Sequence, residues 1–302
     1  MSPAFPKKKE ILKDRAEMLA KARAFFAERG VMEVDTGALV KCPPNDSHID
    51  AIGADQDNSF LHTSPEYAMK RLLSEGMGDI YFLGHVFRKG ELGSLHNPEF
   101  TMVEWYRLHI PFAEMIQETC AFLSLFLGSL PIHTISYREA FERYVGIDYT
   151  AISLTTLQQM TKSSWPRDTC LSSLLTEKIE PRLGQKTLTV LTDFPQREAA
   201  LACITQKKGE TVAERYEIYH KGIELCNGYH ELRDAKELRR RFHELNKERQ
   251  AEGKAPYPLD EKLLAAPLPE CCGVALGFDR ALMLRHKLAS IRHVLPFSWE
   301  EV

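Results

Sequence analysis

Apolar residues recur at helical spacing from residue 8 to 29, where Ile11, Leu12, Leu19, Ala22, Phe25 and Phe26 share one stripe and Gly30 stands at a natural stop. The pattern then shortens: "VMEVD" (31–35) reads as a brief strand, and the Pro-, Asp- and Asn-rich stretch 41–60 as loop. "SPEYAMKRLLSEG" opens with a capping serine, a proline and a glutamate, which predicts a helix running to Gly76. "DIYFLGHVFR" (79–88) and "EFTMVEWYRL" (99–108) predict two strands, joined by the loop "KGELGSLHNP". Residues 111–145 read as helical with a break at Pro131, whereas 150–186 are mixed and carry little signal. "TLTVLTDFP" (187–195) predicts a strand, "ERYEIYHKGIELCNGYHEL" (214–232) a hairpin, and 235–252 a strongly charged helix. "CGVALGFDRALMLRHK" (272–287) predicts a Gly-rich strand running into a helix. No internal repeat or linker interrupts this order, so the expected layout is α+β with a mostly antiparallel sheet, residues 1–302 forming one domain.

Composition narrows the function without naming it. The chain has 302 residues, 44% hydrophobic and 27% charged, as in a globular protein. Its net charge of −3 weighs against a protein built chiefly to grip nucleic acid. The longest apolar run, Cys120 to Leu130, is broken by Ser124 and Gly128 and falls short of the roughly 18 residues of a membrane span. "MSPAFPKKKE" lacks the apolar core of a signal peptide, and seven cysteines without framework spacing read as reduced thiols, so a cytoplasmic location is expected.

The acidic residues of the strands change the picture. In "EFTMVEWYRL", Phe100, Met102, Glu104 and Tyr106 share one face; Glu99, Thr101, Val103, Trp105 and Arg107 share the other. A carboxylate at 104 among apolar neighbours needs an internal arginine or a bound ammonium group. In the hairpin, a two-residue turn at Lys221-Gly222 pairs His220 with Ile223, Tyr219 with Glu224 and Glu217 with Cys226. Glu217 and Glu224 then lie roughly 7 Å apart on one face, a spacing that suits a shared Mg²⁺ or, as is more common, an exposed acidic hairpin that also carries Glu231. Arg88 ends a strand and Arg280 opens a helix. Each is placed to clamp a phosphate, or to be an ordinary surface residue in the manner of Asp279.

Taken together, these segments resemble class II aminoacyl-tRNA synthetases of the lysine branch. "VFRKGELGSLHNPEFTMVEWYR" is similar to their motif 2 and "GVALGFDRALML" to motif 3, and "TSPEYAMKRLL" and "RYEIYHKGIELCNGYHEL" resemble the remaining active-site segments. Within that branch the chain most resembles the elongation factor P–(R)-β-lysine ligases, which are paralogues of lysyl-tRNA synthetase. It opens at the helix before motif 1, without room for an N-terminal anticodon-binding domain, and has Ala275 where lysyl-tRNA synthetases carry glycine. The resemblance implies an antiparallel sheet flanked by helices, a homodimer, and ATP-dependent activation of (R)-β-lysine, or less efficiently lysine, for transfer to a lysine side chain of elongation factor P. By position it implies that Arg88 and Arg280 hold ATP phosphates, with Lys89, Gly90, Glu91, Asn97, Glu224, Leu225 and Gly277 around the nucleotide. It places Mg²⁺ on Glu217 and Glu224. It lines the amino acid with Ser64, Pro65, Glu66, Glu104 and Ala275, puts Glu66 near the backbone amine, and gives the side-chain ammonium to Tyr106 and Glu231.

Three positions depart from that pattern. "RKGE" has Gly90 where the family has the glutamate that contacts adenine, so either Glu91 turns in or backbone groups hold the base. "VDTG" has Gly37 where motif 1 ends in proline, a change at the expected dimer contact, and "SPEYAMK" has Ala68 where the family has histidine. Two alternatives stand beside the leading expectation: a truncated lysyl-tRNA synthetase or ligase for another acceptor, and a non-catalytic lysine sensor. No tRNA contact is expected of the helix "AKELRRRFHELNKERQ", whose charges read as a solvated face.

Overall fold

The structure is a computed structural model that describes residues 7–46, 49–54 and 58–302. The N-terminal expectation for residues 1–6, and the parts of the expected loop at 47–48 and 55–57, lie outside them. Helix α1 (Lys8–Ala27) buries Ile11, Met18, Ala22, Phe25 and Phe26, and Gly30 turns the chain at φ 66°. Next come β1 (Met32–Glu33), β2 (Leu39–Val40), β3 (Gly53–Ala54), β4 (Ser59–Leu61) and α2 (Glu66–Ser74). β5 (Ile80–Phe87) and β6 (Glu99–Leu108) are followed by α3 (Phe112–Leu127), β7 (Ile132–Ser136) and α4 (Tyr137–Tyr144). α5 (Leu154–Thr161) and α6 (Arg167–Leu174) lead to β8 (Leu188–Pro195), β9 (Ile204–Lys207) and the hairpin β10 (Glu210–His220) and β11 (Ile223–His230). α7 (Ala235–Ala251), α8 (Glu261–Ala265), β12 (Cys271–Gly277) and α9 (Phe278–Arg285) complete the order.

Among the described residues the main sheet has nine strands in the order β1-β5-β6-β12-β11-β10-β8-β7, with β9 paired to β10. Only the β1/β5 and β7/β8 pairs are parallel, so the α+β, antiparallel-dominated expectation holds. Val103 and Trp105 of β6 point into a core shared with α1, α3 and α9, whereas Met102 and Tyr106 point the opposite way, toward Met69 and Leu73 of α2. That alternation leaves one face of the central strands free of α1, α3 and α9.

Three local expectations are corrected. Residues 41–60 are not loop throughout, because β3 and β4 pair with each other and β2 pairs with β4 in a small three-stranded sheet. The segment after Pro131 is not helix but β7, paired in register with β8 from Ile132–Leu188 to Ser136–Thr192. The hairpin turn forms at Lys221 and Gly222, both at positive φ, and His220–Ile223 and Tyr219–Glu224 pair as expected. The ladder then shifts, so Ile218 pairs with Cys226 and Glu217 with Asn227 rather than with Cys226. Leu225, 2% exposed, is the extra residue of this bulge. The bulge turns Cys226 into the core and Asn227 onto the open face. Residues 150–186, silent in the sequence, form α5, α6 and a π-helical turn (Leu175–Ile179), which share a second core with Phe141, Leu191 and Tyr219.

Candidate functional site

The sheet register places the chemistry in rows across the open face. One row runs Phe82, Glu104, Ala275, Asn227, Glu217; the next runs Ile80, Tyr106, Gly273, Tyr229, Arg215. Gly84, Met102 and Gly277 begin the row on the other side, next to the start of α9. Neighbouring rows are two residues apart along each strand, roughly 7 Å. An acidic pocket and an arginine-lined cleft therefore share one continuous surface.

The acidic pocket is closed by α2. Glu104, 2% exposed, receives hydrogen bonds from the Ser64 hydroxyl (2.7 Å) and the Tyr106 hydroxyl (2.8 Å), so hydroxyls and not an arginine serve it. Ser64 also accepts the Glu66 N–H at 3.0 Å and thereby fixes the start of α2, where buried Pro65 is the capping residue. Lys70, one helical turn after Glu66, brings its ammonium 2.6 Å from Glu66 Oε1 and 2.7 Å from Glu231 Oε2. Burial, and then the neighbouring Glu66, pushes the Glu104 carboxyl up to about 8. Burial raises Glu231 to about 7 against the pull of Lys70. Burial opposes the charge on Lys70, but Glu231 and Glu66 outweigh it and hold its pKa above the usual lysine value. The cluster is short of positive charge, which is what a site for a cation requires.

The arginine-lined half is a cleft of about 290 Å³ whose walls include Arg88, Glu91, Phe100, Glu224, Ala275 and Arg280. Arg88 lies over the Phe100 ring at 5.1 Å, 3.6 Å from Glu91, with its Nε directed at the Thr63 carbonyl. Gly90 takes φ 77°, and this turn brings the Glu91 side chain toward Arg88. Lys89 does not join the site: its side chain is exposed and its N–H is tied to the Asp50 carbonyl. Arg280 donates to the carbonyls of Leu95 (3.2 Å) and Glu224 (3.1 Å) and to His96 Nε2 (2.7 Å). Burial and the Arg280 charge push the His96 pKa down, which suits the neutral ring that accepts this bond. Asn97 lines the cleft, yet its amide donates to the Glu99 carbonyl and accepts the Trp299 N–H, so it also braces the start of β6.

Asp279 is not a surface residue. It is 1% exposed, accepts Arg15 at 2.5 Å and the Thr101 N–H at 2.8 Å, and so locks α9 to α1 and β6 beside Arg280. Nor is the acidic hairpin a solvated one. Glu217 is buried, with Oε1 held by Arg215 and Oε2 by the Tyr219 hydroxyl, each at 2.5 Å. Burial, and then Glu217, pushes Glu224 up to about 7, against the pull of Arg280 at 3.8 Å. Leu225, Ala275 and Gly277 line the cleft floor.

Four residues escape the sequence reading. Lys70 resembles any surface lysine on a helix, and Arg215 any strand-edge charge. Asn227 reaches the open face only through the bulge. Gly273 carries the clearest overlooked signal, a glycine inside a strand. A Cβ there would lie 2.4 Å from the Tyr106 ring and 2.5 Å from Glu231 Oε1.

Comparison with known proteins identifies the family. The family model for class II tRNA synthetases (D, K and N) matches residues 4–301. The elongation factor P--(R)-beta-lysine ligases of Salmonella dublin, Salmonella paratyphi B (strain ATCC BAA-1250 / SPB7) and Salmonella heidelberg (strain SL476) are each 40% identical to this chain. Each alignment covers 94% of the chain and 93% of the relative. With its motif segments on adjacent strands of one antiparallel sheet, the chain belongs to the class II tRNA synthetase family.

Proposed function

We propose that this chain is an ATP-dependent ligase that activates (R)-β-lysine, and less efficiently α-lysine, and passes the acyl group to a lysine ε-amine of elongation factor P. The observation that carries this reading is the single sheet face on which the buried acids Glu104 and Glu231, with the partly buried Glu66 of α2 above them, adjoin the Arg88/Arg280 cleft. The acids receive the two amines of the substrate, Glu66 the backbone amine and Glu231 with Tyr106 the side-chain ammonium. The substrate carboxylate is thereby turned toward the cleft, where it attacks the α-phosphate and expels pyrophosphate. Arg88 and Arg280 offset the phosphate charge, and Glu91 and Asn97 border the nucleotide. The acceptor amine then attacks the acyl carbon, and AMP leaves. The protein contributes position and charge and needs no covalent intermediate of its own.

Glu224, backed by Glu217, fits Mg²⁺, which when bound neutralises phosphate charge. Among the described residues no group of three or more His, Cys, Asp or Glu gathers around a metal site, so the remaining ligands would be phosphate and water. The reading includes a cytoplasmic homodimer. Seven unpaired cysteines accord with a reducing compartment, and no helix among the described residues is long and apolar enough to cross a membrane. The test is pyrophosphate exchange with (R)-β-lysine and α-lysine, followed by offering the labelled adduct to elongation factor P and to tRNA. Exchange and transfer to the factor are expected. Absence of exchange with both amino acids, or transfer to tRNA alone, overturns the proposal.

A further inference from the structure

The acidic pocket contains a cation of its own. Lys70 is 2% exposed, and its ammonium lies within 2.7 Å of two carboxylates on different elements, Glu66 on α2 and Glu231 just beyond β11. At 2.7 Å the Lys70 ammonium contacts Glu231 Oε2 away from the ideal hydrogen-bond direction, so this buried oxygen keeps acceptor capacity to spare. A buried carboxylate oxygen with spare acceptor capacity is a place where a second donor can bind. Charge gives the same answer. Once a dication draws Glu66, Glu104 and Glu231 into their ionised forms, Lys70 offsets one of three negative charges and leaves two.

We infer that Lys70 is a positioning residue of the amino-acid pocket: it holds Glu66 and Glu231 at a fixed separation and sets the residual charge at −2, which selects a ligand with two ammonium groups. This inference rests on the reading of the pocket as the amino-acid site. Without Lys70 the two carboxylates repel, separate or take up protons, and each response degrades the same ligand. The groups facing Glu231 besides Lys70 are Glu66 from α2, Tyr106 from β6, His230 from β11, Cys271 and Cys272 from β12 and Cys203 from the segment bridged to it. His230 is already paired with Glu214 at 2.5 Å, so Lys70 is the cation in direct contact with Glu231.

The test is calorimetric titration of the full chain with L-lysine and with norleucine, which lacks the second amine, alongside ATP binding. For Lys70→Met the expected result is at least roughly a 30-fold loss of lysine affinity, with ATP affinity and weak norleucine binding nearly unchanged. The rise of lysine affinity with pH should move upward by about one unit, and Lys70→Arg should restore the original pH profile. A Lys70→Met protein that binds ATP normally and lysine within about threefold of wild type, with the same pH profile, overturns the inference. If Lys70→Met does not fold, Lys70→Gln, which keeps a hydrogen-bond donor without the charge, takes its place: a loss of lysine affinity of about tenfold or more supports the inference, and affinity within about threefold of wild type overturns it. Because titration needs no turnover, wild type that binds lysine without pyrophosphate exchange overturns the proposed reaction and leaves Lys70's role standing. Wild type that does not bind lysine overturns both.

Discussion

Gly273 has no side chain because two others need its place. A methyl group at 273 would press on the Tyr106 ring and the Glu231 carboxylate at once, and both neighbours are buried. Gly273→Ala should therefore cost about 1–3 kcal/mol of stability. It should also raise the Kd for lysine at least roughly tenfold while ATP binding holds, which parallel titrations would reveal. The raised carboxyls of Glu104, Glu224 and Glu231 make a second prediction. Their pKa values in the fold, about 8, 7 and 7, lie above the ordinary 4.5, so between these limits the folded chain binds more protons than the unfolded one. Through these groups the ligand-free protein loses stability as pH rises from about 5 to 8. Lysine, whose ammonium groups offset the charge, should raise Tm more at pH 8 than at pH 5.5. A ligand-induced shift in Tm that does not vary with pH would contradict the assignment. Most of these acids could be read from the sequence, since a carboxylate among apolar strand residues needs polar partners, which for Glu104 prove to be two hydroxyls. Lys70 could not, because a lysine on a helix is ordinarily solvated and only the packed structure shows which way it points.

At the scale of elements, the hairpin shows what local pattern can and cannot fix. Lys221-Gly222 determines the turn and the first two pairs, and both form as read. Further along, tertiary packing decides. Leu225 and Cys226 are consecutive and both buried, which a regular strand with one open face does not allow, and a bulge resolves the conflict. That adjacent apolar pair is the signal in the sequence. β7 offered none: four of its five residues are at least partly exposed, and its identity comes from pairing with β8 at the sheet edge. The junction of α1, β6 and α9 was equally hidden, since Arg15 and Asp279 are 264 residues apart in the chain. Asp279→Asn leaves the buried Arg15 charge without its partner and should lower stability by about 3–5 kcal/mol, measurable by urea denaturation. Because the next residue is Arg280, ATP affinity should fall with it. An unchanged unfolding midpoint would show that the lock carries no load.

At the scale of the whole molecule, α1, α3 and α9 take one face of the sheet and leave the other, partly covered by α2, for chemistry. The cysteines belong to this scale as well. All seven are free, and Cys120, Cys170, Cys226, Cys271 and Cys272 are buried. Reductant should leave Tm unchanged, and an aromatic disulfide reagent should modify Cys42 and Cys203 well before the other five. Rapid modification of a third thiol in the native protein would contradict this packing. The cleft carries one more consequence. Arg88 and Arg280 already have acceptors within the protein: Thr63 and Glu91 for the first, Leu95, Glu224 and His96 for the second. An arriving anion must exchange for contacts that are already made. Orthophosphate, which brings charge without an adenosine to anchor it, should therefore compete weakly, and strong inhibition of pyrophosphate exchange by orthophosphate would contradict this reading of the cleft.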